Sequence, residues 1–261
     1  MLDELSGQHQ VIITTHCPLF VDRTNLRSNI LVNNKKASPA KNVTELRDAL
    51  GVRASDNLRN AEIALVVEGE DDRRALAALL PSVSKRIGTA LQTGLIAIDT
   101  LGGGTNLSYK LSQLRETICT CHSFLDHDKA GLTASTKAEA EGLAAPADIT
   151  HVICPGLDES EFEDMLDEAL YADFIKNRYG ASLASPKFKG KKKWSDRVKA
   201  AFEHQGKVWS TKLEAQIKSE VADLIAGNPS VALNLHKRGP FDGLVVALEA
   251  KLDQLEGGKK V

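Results

Sequence analysis

The sequence predicts an α/β fold in which helices flank a parallel β-sheet, and three observations support this prediction. Short apolar runs alternate with amphipathic helical patterns from about residue 63 to residue 154. The connections between them are short, which in such an alternation implies right-handed crossovers and parallel strands. Two of the runs end abruptly in acidic residues. Open α/β sheets bind their ligands at the carboxyl edge, so the functional site is expected there.

Composition and charge exclude several classes of protein. The 261 residues are 42% hydrophobic and 26% charged, which is typical of a globular domain, and the formal net charge is −2. No overall basic field therefore attracts nucleic acid, and any such attraction must come from local patches. The chain has no apolar run long enough to cross a bilayer and no signal-peptide pattern. We expect a cytoplasmic protein without a membrane partner.

Residues 1–60 are not expected to fold alone. Residues 10–15 form an apolar, β-prone run that predicts a buried strand, and His16 follows it. A second strand is expected at Ile30–Asn33 and a helix at Val43–Leu50. These elements bury too little apolar surface for an independent domain. They are expected to pack against the next domain or to complete a larger one.

Residues 61–155 carry the strand–helix alternation. Strands are predicted at residues 63–67, 95–100, 118–125 and 150–154, with helices at residues 71–80, 106–117 and 130–143. A glycine run follows the second of these strands, where free backbone N–H groups and a helix dipole could hold a phosphate. Gly103, Gly104 and Thr105 are the candidate residues, and a tight turn capped by Thr105 is the alternative.

Residues 156–261 contain no further strand pattern and are predicted to form a helical extension. Residues 158–168 carry seven acids on a predicted helix, and residues 187–199 carry seven bases. Within this basic segment Lys191 and Lys192 suit phosphate contacts, while Phe188 and Trp194 could stack on bases. A solvated basic loop is the alternative. Further helices are predicted at residues 212–226 and 241–255.

Four carboxylates follow two predicted strands and point to a metal site. Glu68 and Asp72 flank a strand-to-helix turn that Gly69 permits, and Asp126 and Asp128 follow a later strand. The alternative is that these acids cap helices, which explains Asp72 more easily than Glu68. Crowded carboxylates repel one another unless a cation lies between them. Mg²⁺ and Mn²⁺ prefer such oxygen ligands.

These acids resemble those of the Toprim domain, in which a strand-end Glu-Gly and a later Asp-x-Asp bind catalytic metals. Glu68-Gly69 matches the first motif and residues 126–128 match the second. The resemblance covers residues 60–155. It implies a Toprim-type sheet and one of the activities of topoisomerases, primases or nucleases. No tyrosine stands in a recognisable context for a transesterifying nucleophile, which argues against a topoisomerase.

The amino-terminal segment is similar to the His-containing switch region of ABC-type ATPases. Residues 10–18 carry this resemblance, and His16 would be the residue that senses the nucleotide. An ABC-ATPase ending joined to a Toprim domain resembles the OLD (overcoming lysogenization defect) nucleases. The chain lacks a G-x-x-x-x-G-K-[ST] phosphate loop. The resemblance therefore implies a missing amino-terminal ATPase region, no nucleotide bound by this chain alone and a possible homodimer.

Two-metal phosphodiester hydrolysis needs ligands beyond the first four carboxylates. Glu161 and Glu163 are the best source, because they follow the last strand and resemble an acidic motif of OLD nucleases. On a helix the two side chains cannot both point at one metal ion, so one of them is expected to be the main ligand. The alternative is that both lie on the solvated face of an acidic helix. The resemblance also implies an essential late lysine.

Lys237 is the first candidate for that lysine and Lys193 the second. Lys237 and Arg238 stand where the last predicted helix begins, and cations at that end oppose the helix dipole. Their presence indicates a nearby anion, either the metal-site carboxylates or a bound phosphate. Arg238 is accordingly a candidate DNA contact.

The sequence thus predicts a DNA endonuclease that uses Mg²⁺ or Mn²⁺, with two ions expected and Glu68 central to the chemistry. The domain boundaries are residues 1–60 for the ATPase end, 61–155 for the Toprim domain and 156–261 for the helical extension. A non-catalytic module that binds metal or phosphate and regulates an attached ATPase is the alternative from another class. A metal-dependent phosphatase is a third interpretation.

Overall fold

A computed structural model of the chain describes residues 7, 9–23, 25–33, 35–52, 58, 61–102 and 106–257. The strands are β1 (Ile30–Asn33), β2 (Lys36–Pro39), β3 (Ile63–Val67), β4 (Ile96–Thr100), β5 (Thr120–Asp126) and β6 (Ile149–Val152). The helices are α1 (Val43–Leu50), α2 (Glu70–Val83), α3 (Lys85–Gln92), α4 (Leu107–Glu116), α5 (Lys129–Ala140), α6 (Glu168–Tyr179), α7 (Trp194–His204), α8 (Thr211–Gly227) and α9 (Gly239–Gly257). The fold is α/β, as the alternation predicts.

A four-stranded parallel sheet forms the centre of the molecule, in the order β4-β3-β5-β6. Strand β3 lies between β4 and β5, and all five of its residues are buried. Such continuous burial is typical of a parallel strand that is covered by helices on both faces. Because β3 and β5 are adjacent and parallel, their carboxyl ends meet at one edge of the sheet. The residues that follow Val67 and Asp126 therefore lie close together.

The two faces of the sheet pack against different helices. Alternate residues of β3 divide between them: Ile63 and Leu65 face one side, and Ala64 and Val66 face the other. The first side packs against α2, α3 and the helices of the carboxyl-terminal region, which form one continuous apolar core with the sheet. The second side packs against α4 and α5. Among the helices described, none combines the length and apolarity needed to cross a bilayer.

The amino-terminal segment departs from the prediction. Residues 10–15 do not form a strand, and Ile12 is 80% exposed, because no neighbouring strand of the described chain pairs with this run. The expected strand Ile30–Asn33 and helix Val43–Leu50 are present, and β1 pairs with β2 as an antiparallel hairpin. Arg47 of α1 reaches the main domain, where its guanidinium donates to the carbonyls of Thr117 and Ala61.

The predicted acidic helix over residues 158–168 is also wrong. The segment is irregular apart from a short 3₁₀ turn, Phe162–Met165, and the α-helix begins only at Glu168. Backbone hydrogen bonds between His127 and Ser160 hold this segment against the end of β5 (His127 N to Ser160 O, 2.8 Å). Pairing with the sheet edge thus overrides the local helical preference of the acidic residues.

Asp164 joins this segment to the start of α7. Its Oδ2 accepts hydrogen bonds from the backbone N–H groups of Trp194 (3.0 Å) and Glu161 (2.9 Å). Its Oδ1 pairs with the buried guanidinium of Arg197. A carboxylate at this position satisfies a free N–H group of the first helical turn and suits the helix dipole. The contact fixes the segment that carries Glu161 relative to α7.

The Asp164→Ala variant is expected to lower the free energy of unfolding by about 3–5 kcal/mol, because it leaves the buried Arg197 without its carboxylate. Urea denaturation followed by circular dichroism measures this change. Asp173→Ala, on the exposed face of α6, serves as the matched control and should change stability by less than about 0.5 kcal/mol. Equal midpoints for the two variants would contradict the role assigned to Asp164.

Candidate metal-binding site

An acidic cluster lies at the carboxyl edge of the sheet, together with two lysines. Its six carboxylates come from the turns after β3 and β5 and from the segment after β6, and they are Glu68, Asp72, Asp126, Asp128, Glu161 and Glu163. The lysines are Lys193, at the start of α7, and Lys218, in the middle of α8. The structure thus brings together all six carboxylates that the sequence singles out, from three separate stretches of the chain.

Glu68 and Asp126 are directly linked across the ends of the adjacent strands. The backbone N–H of Asp126 donates to Glu68 Oε1 at 3.0 Å. Asp126 Oδ1 in turn accepts from the backbone N–H of Phe162 at 3.0 Å. These bonds orient both carboxylates and engage one oxygen of each. Within the described part of the chain no hydrogen bond occupies the second oxygen of either side chain.

Asp72 is oriented by the turn that precedes α2. Its Oδ2 accepts from the backbone N–H of Gly69 at 2.9 Å, so it closes the first turn of the helix. The helix-cap interpretation therefore holds for Asp72 and leaves its Oδ1 for other contacts. Asp71, the next acid in the sequence, points elsewhere and pairs with Arg74 at 2.7 Å.

Asp128 combines a helix cap with an ion pair. Strand β5 ends at Asp126, and Asp128 caps α5 by accepting from the backbone N–H groups of Ala130 and Gly131, both at 3.0 Å. Its Oδ2 lies 2.8 Å from Lys193 Nζ. Burial alone would raise the pKa of Asp128, but Lys193 and the two amide groups lower it overall. Asp128 is therefore held as a carboxylate.

Lys218 connects the two glutamates of the acidic segment. Its Nζ lies 3.0 Å from Glu161 Oε2 and 3.3 Å from Glu163 Oε2. Glu161 is 1% exposed, Glu163 is 4% exposed, and Glu161 Oε1 also caps α7 through the backbone N–H of Ser195. Which of the two glutamates would dominate as a metal ligand stays a prediction, but the geometry does not separate them. Both reach the same ammonium group because the segment is irregular and not helical.

Burial and like charge dominate the electrostatics of the cluster. Burial raises the pKa of Asp126 well above its usual range, and the charges of Glu68 and Asp72 add to the rise. Burial likewise raises the pKa of Asp72 to about 6 and that of Glu163 to about 8. Lys218 opposes these shifts, and although its own burial disfavours the charged form, the surrounding carboxylates raise its pKa well above normal. The cluster is short of positive charge.

The donor atoms of the cluster fit a hard divalent cation. They are carboxylate oxygens, several are fixed by backbone hydrogen bonds, and the buried Glu163 Oε2 has only the Lys218 ammonium beside it among the described residues, at 3.3 Å. No three His, Cys, Asp or Glu side chains of the described residues converge into a ready-made ligand set. Instead, the Lys218 ammonium lies between Glu161 and Glu163. To bind a cation there, the side chains of Lys218, Glu161 and Glu163 would have to move so that the carboxylate oxygens contact the ion.

Neither of the two predicted cations at the start of the last helix forms an ion pair with the cluster among the described residues. Arg238 forms a two-pronged ion pair with Asp242 one turn along α9, at 2.7 Å. The nearby anion that the sequence predicts for Arg238 is therefore Asp242. Neither a metal-site carboxylate nor a bound phosphate is needed to explain the position of this arginine. The Lys237 carbonyl lies 3.9 Å from Cys154 Sγ, and no ion pair of the described chain joins Lys237 to the acidic cluster. Its catalytic role stays a prediction.

The basic segment forms a lysine cleft next to Lys193. This cleft, of about 480 Å³, includes Lys187, Lys191, Lys192 and Lys199 in its lining. Lys191 and Lys192 are exposed, as phosphate contacts require. The proposed stacking residues are not available, because Phe188 and Trp194 are buried in the core.

Two other predicted features are not tested by the geometry. Gly103, Gly104 and Thr105 lie outside the described residues. His16 lies in an exposed bend after residues 10–15, and its proposed role as a nucleotide sensor stays a prediction.

Sequence reasoning missed Lys218. The residue lies on the buried side of α8, which packs against α2 and is tied to it by Arg74 through Ser219 (2.9 Å). A signal was present, since Lys218 shares helical spacing with the buried Val221 and Ile225. A lysine within an apolar stripe indicates a buried partner of opposite charge.

Comparisons with known proteins add no family assignment. No protein-family model matches the chain, and no curated protein matches it significantly. The interpretation of the acidic cluster therefore depends on its residues and their geometry.

The Asp72→Asn variant is expected to be more stable than the wild type without metal. The raised pKa of Asp72, about 6, means that ionisation of this residue costs folding free energy as pH rises from about 4 to 6. Above pH 6 the variant should gain about 1–3 kcal/mol, and below pH 4 the two proteins should converge. Thermal unfolding in chelator at several pH values measures this. Asp71→Asn is the matched control and should show no such gain.

Proposed function

We propose that the chain is a metal-dependent DNA endonuclease with a Toprim-type site, similar to that of OLD-family nucleases. The observation that carries the proposal is the convergence of Glu68, Asp72, Asp126 and Asp128 with Glu161 and Glu163 at the carboxyl edge of a parallel sheet. Crowded, partly desolvated carboxylates raise one another's pKa values, so they favour a cation between them. Mg²⁺ or Mn²⁺ fits this donor set.

The six carboxylates would supply the ligands of the metal ions. Glu68, Asp72 and Asp126 would hold the cation with the oxygens that backbone hydrogen bonds leave open, and Glu161 and Glu163 would supply ligands for a second ion. A bound divalent cation supplies Lewis-acid activation of a phosphodiester and of a water nucleophile.

Two lysines would contribute positive charge beside the metal ligands. Lys193 lies 2.8 Å from Asp128 and 3.9 Å from Glu161, and it is partly exposed at the cluster. An ammonium group there can stabilise the extra negative charge of the phosphoryl transition state. Lys218 lies between Glu161 and Glu163, at 3.0 and 3.3 Å from their oxygens, so it is better suited to neutralising the ligands than to contacting the substrate.

The lysine cleft would bind the DNA backbone. It is adjacent to the cluster in the chain, because Lys193 follows Lys191 and Lys192 directly, and the Lys191 carbonyl accepts from Asp158 N at 2.9 Å. Contacts to phosphate from exposed lysines carry no sequence information. The proposed enzyme would therefore cut with little sequence preference and with a strong dependence on salt.

A non-catalytic module that binds metal or phosphate is the second candidate. Two observations favour it: no ready-made ligand set occurs among the described residues, and a lysine ammonium lies between two of the glutamates. Calorimetry that detects metal binding, without cleavage of any DNA, would support this candidate over the nuclease.

The wild-type chain is expected to nick supercoiled plasmid with Mn²⁺ and to lose this activity in chelator. Asp126→Asn keeps an acceptor for the Phe162 N–H but removes the charge, so cleavage should fall at least about a hundredfold. Gel separation of supercoiled, nicked and linear plasmid measures the rate. Glu70→Gln is the matched control, because Glu70 lies in the same turn as the ligands but is exposed and pairs with Arg73. Wild-type cutting by Asp126→Asn would exclude the assigned site.

The Lys218→Met variant is expected to make stability depend on metal. Without the ammonium group Glu161 and Glu163 lose their buried counter-charge, so unfolding free energy in chelator should fall by about 3–5 kcal/mol. Mn²⁺ should restore most of this loss, and its effect on the melting temperature should exceed that in the wild type. Lys212→Met, exposed on the same helix, is the control. A loss that Mn²⁺ does not reduce would argue against metal binding at the glutamates.

A further inference from the structure

A second polar cavity lies at the opposite edge of the sheet from the acidic cluster. Its volume is about 380 Å³, and its lining includes the start of β5, at Thr120 and Cys121, and the residues after α5. Strand β5 runs from this cavity to Asp126. At the usual rise per residue, Asp126 lies roughly 20 Å from Thr120 and roughly 10 Å from Ser123, the lining residue of β5 that is nearest to it along the strand. The two sites are therefore distinct.

The cavity contains more positive than negative charge. Arg23, Arg115 and Lys251 line it, with Asp148 as the one carboxylate among its lining residues. That carboxylate is already paired, because Asp148 Oδ1 lies 2.5 Å from Lys251 Nζ. The two arginines consequently have no carboxylate partner within the lining. We call this site the basic cavity.

Backbone contacts hold the two arginines but use little of their hydrogen-bonding capacity. Arg23 Nη1 donates to the Cys119 carbonyl at 2.9 Å, and Arg115 Nη1 donates to the Gly142 carbonyl at 2.8 Å. A guanidinium carries five N–H donors in a rigid fork, and among the described residues each side chain donates only this one hydrogen bond. Burial, and then the charge of Arg115, lowers the pKa of Arg23. The two cations thus repel each other across the cavity.

A buried hydroxyl without a partner supplies independent evidence for a ligand. Ser123 is 1% exposed and is one of the residues that line the basic cavity, and its buried Oγ has no hydrogen-bond partner among the described residues. An unpaired buried hydroxyl costs free energy, and native proteins rarely leave one unsatisfied. An acceptor atom bound between the arginines and Ser123 would satisfy it.

We propose that the basic cavity binds a small phosphate-bearing anion, held by Arg23 and Arg115 with Ser123 as a further donor. Forked guanidinium groups match the geometry of phosphate oxygens better than ammonium groups do. The volume of the cavity is at the lower end of that of small-molecule sites, which suits free phosphate or a compact phosphate ester. The phosphate would neutralise two arginines that have no ion pair with a carboxylate among the described lining residues. This inference does not depend on the proposed nuclease activity.

Titration calorimetry and thermal unfolding of the whole chain in chelator test the proposal, with inorganic phosphate and a nucleoside monophosphate as probes. Sodium chloride of equal ionic strength is the reference. Phosphate should raise the melting temperature beyond the chloride reference. Arg115→Gln and Ser123→Ala should weaken binding, by about tenfold or more for the arginine, since it loses a charge-assisted hydrogen bond. Tighter binding of the monophosphate would show that the organic group enters the cavity and would support the proposal.

Arg178→Gln, an exposed arginine paired with Glu220 on the far helices, is the control and should bind like the wild type. Ser123→Ala keeps the charge of the cavity, so it tests the site even if an arginine variant folds poorly. Two results would overturn the proposal. One is equal unfolding curves for the wild type in phosphate and chloride. The other is loss of plasmid binding in Arg115→Gln together with unchanged binding of free phosphate, which would assign these cations to DNA.

Discussion

The balance between six crowded carboxylates and two lysines is the constraint on which the candidate site depends. Parallel pairing of β3 and β5 forces Glu68 and Asp126 to the same edge, and the segment after β6 adds Glu161 and Glu163. Like charges at such short range raise one another's pKa values, and burial strengthens the effect. Lys193 and Lys218 reduce the repulsion without removing it. The carboxylates of the cluster thus outnumber the ammonium groups that face them.

The carboxyl-terminal region has a structural part in this balance. Helix α7 begins where Asp164 and Glu161 accept its first free N–H groups, so the acidic segment and the helix position each other. Helix α8 packs on α2 and places Lys218 next to Glu161. The region shares one apolar core with the sheet. It therefore borders the site directly and contributes two glutamates and two lysines to it.

The two edges of the sheet have opposite electrostatic character. The carboxyl edge concentrates acids, whereas the basic cavity at the amino edge concentrates arginines around an unpaired hydroxyl. Strand β5 contributes to both, with Asp126 at one end and the stretch from Thr120 to Ser123 at the other. Because β5 is a buried strand of the sheet, the distance between the acidic cluster and the basic cavity is fixed by the strand. The molecule therefore carries an acidic cluster at one edge of the sheet and the basic cavity at the other.

The sequence by itself determined the sheet, most helices and the identity of the six carboxylates, because apolar periodicity and strand-end acids are local signals. It failed where a long-range contact overrides local preference. The run at residues 10–15 is β-prone but finds no partner among the described residues, and pairing of Ser160 with His127 keeps the acidic segment from becoming a helix.

Arg238 is paired along its own helix, whereas ion pairs with the acids are made by Lys193, the second candidate, and by Lys218, which the sequence did not single out. Only the tertiary structure could decide this choice of lysine. Sequence spacing determines on which face of a helix a side chain lies. The packing of the helices determines which residues that face contacts.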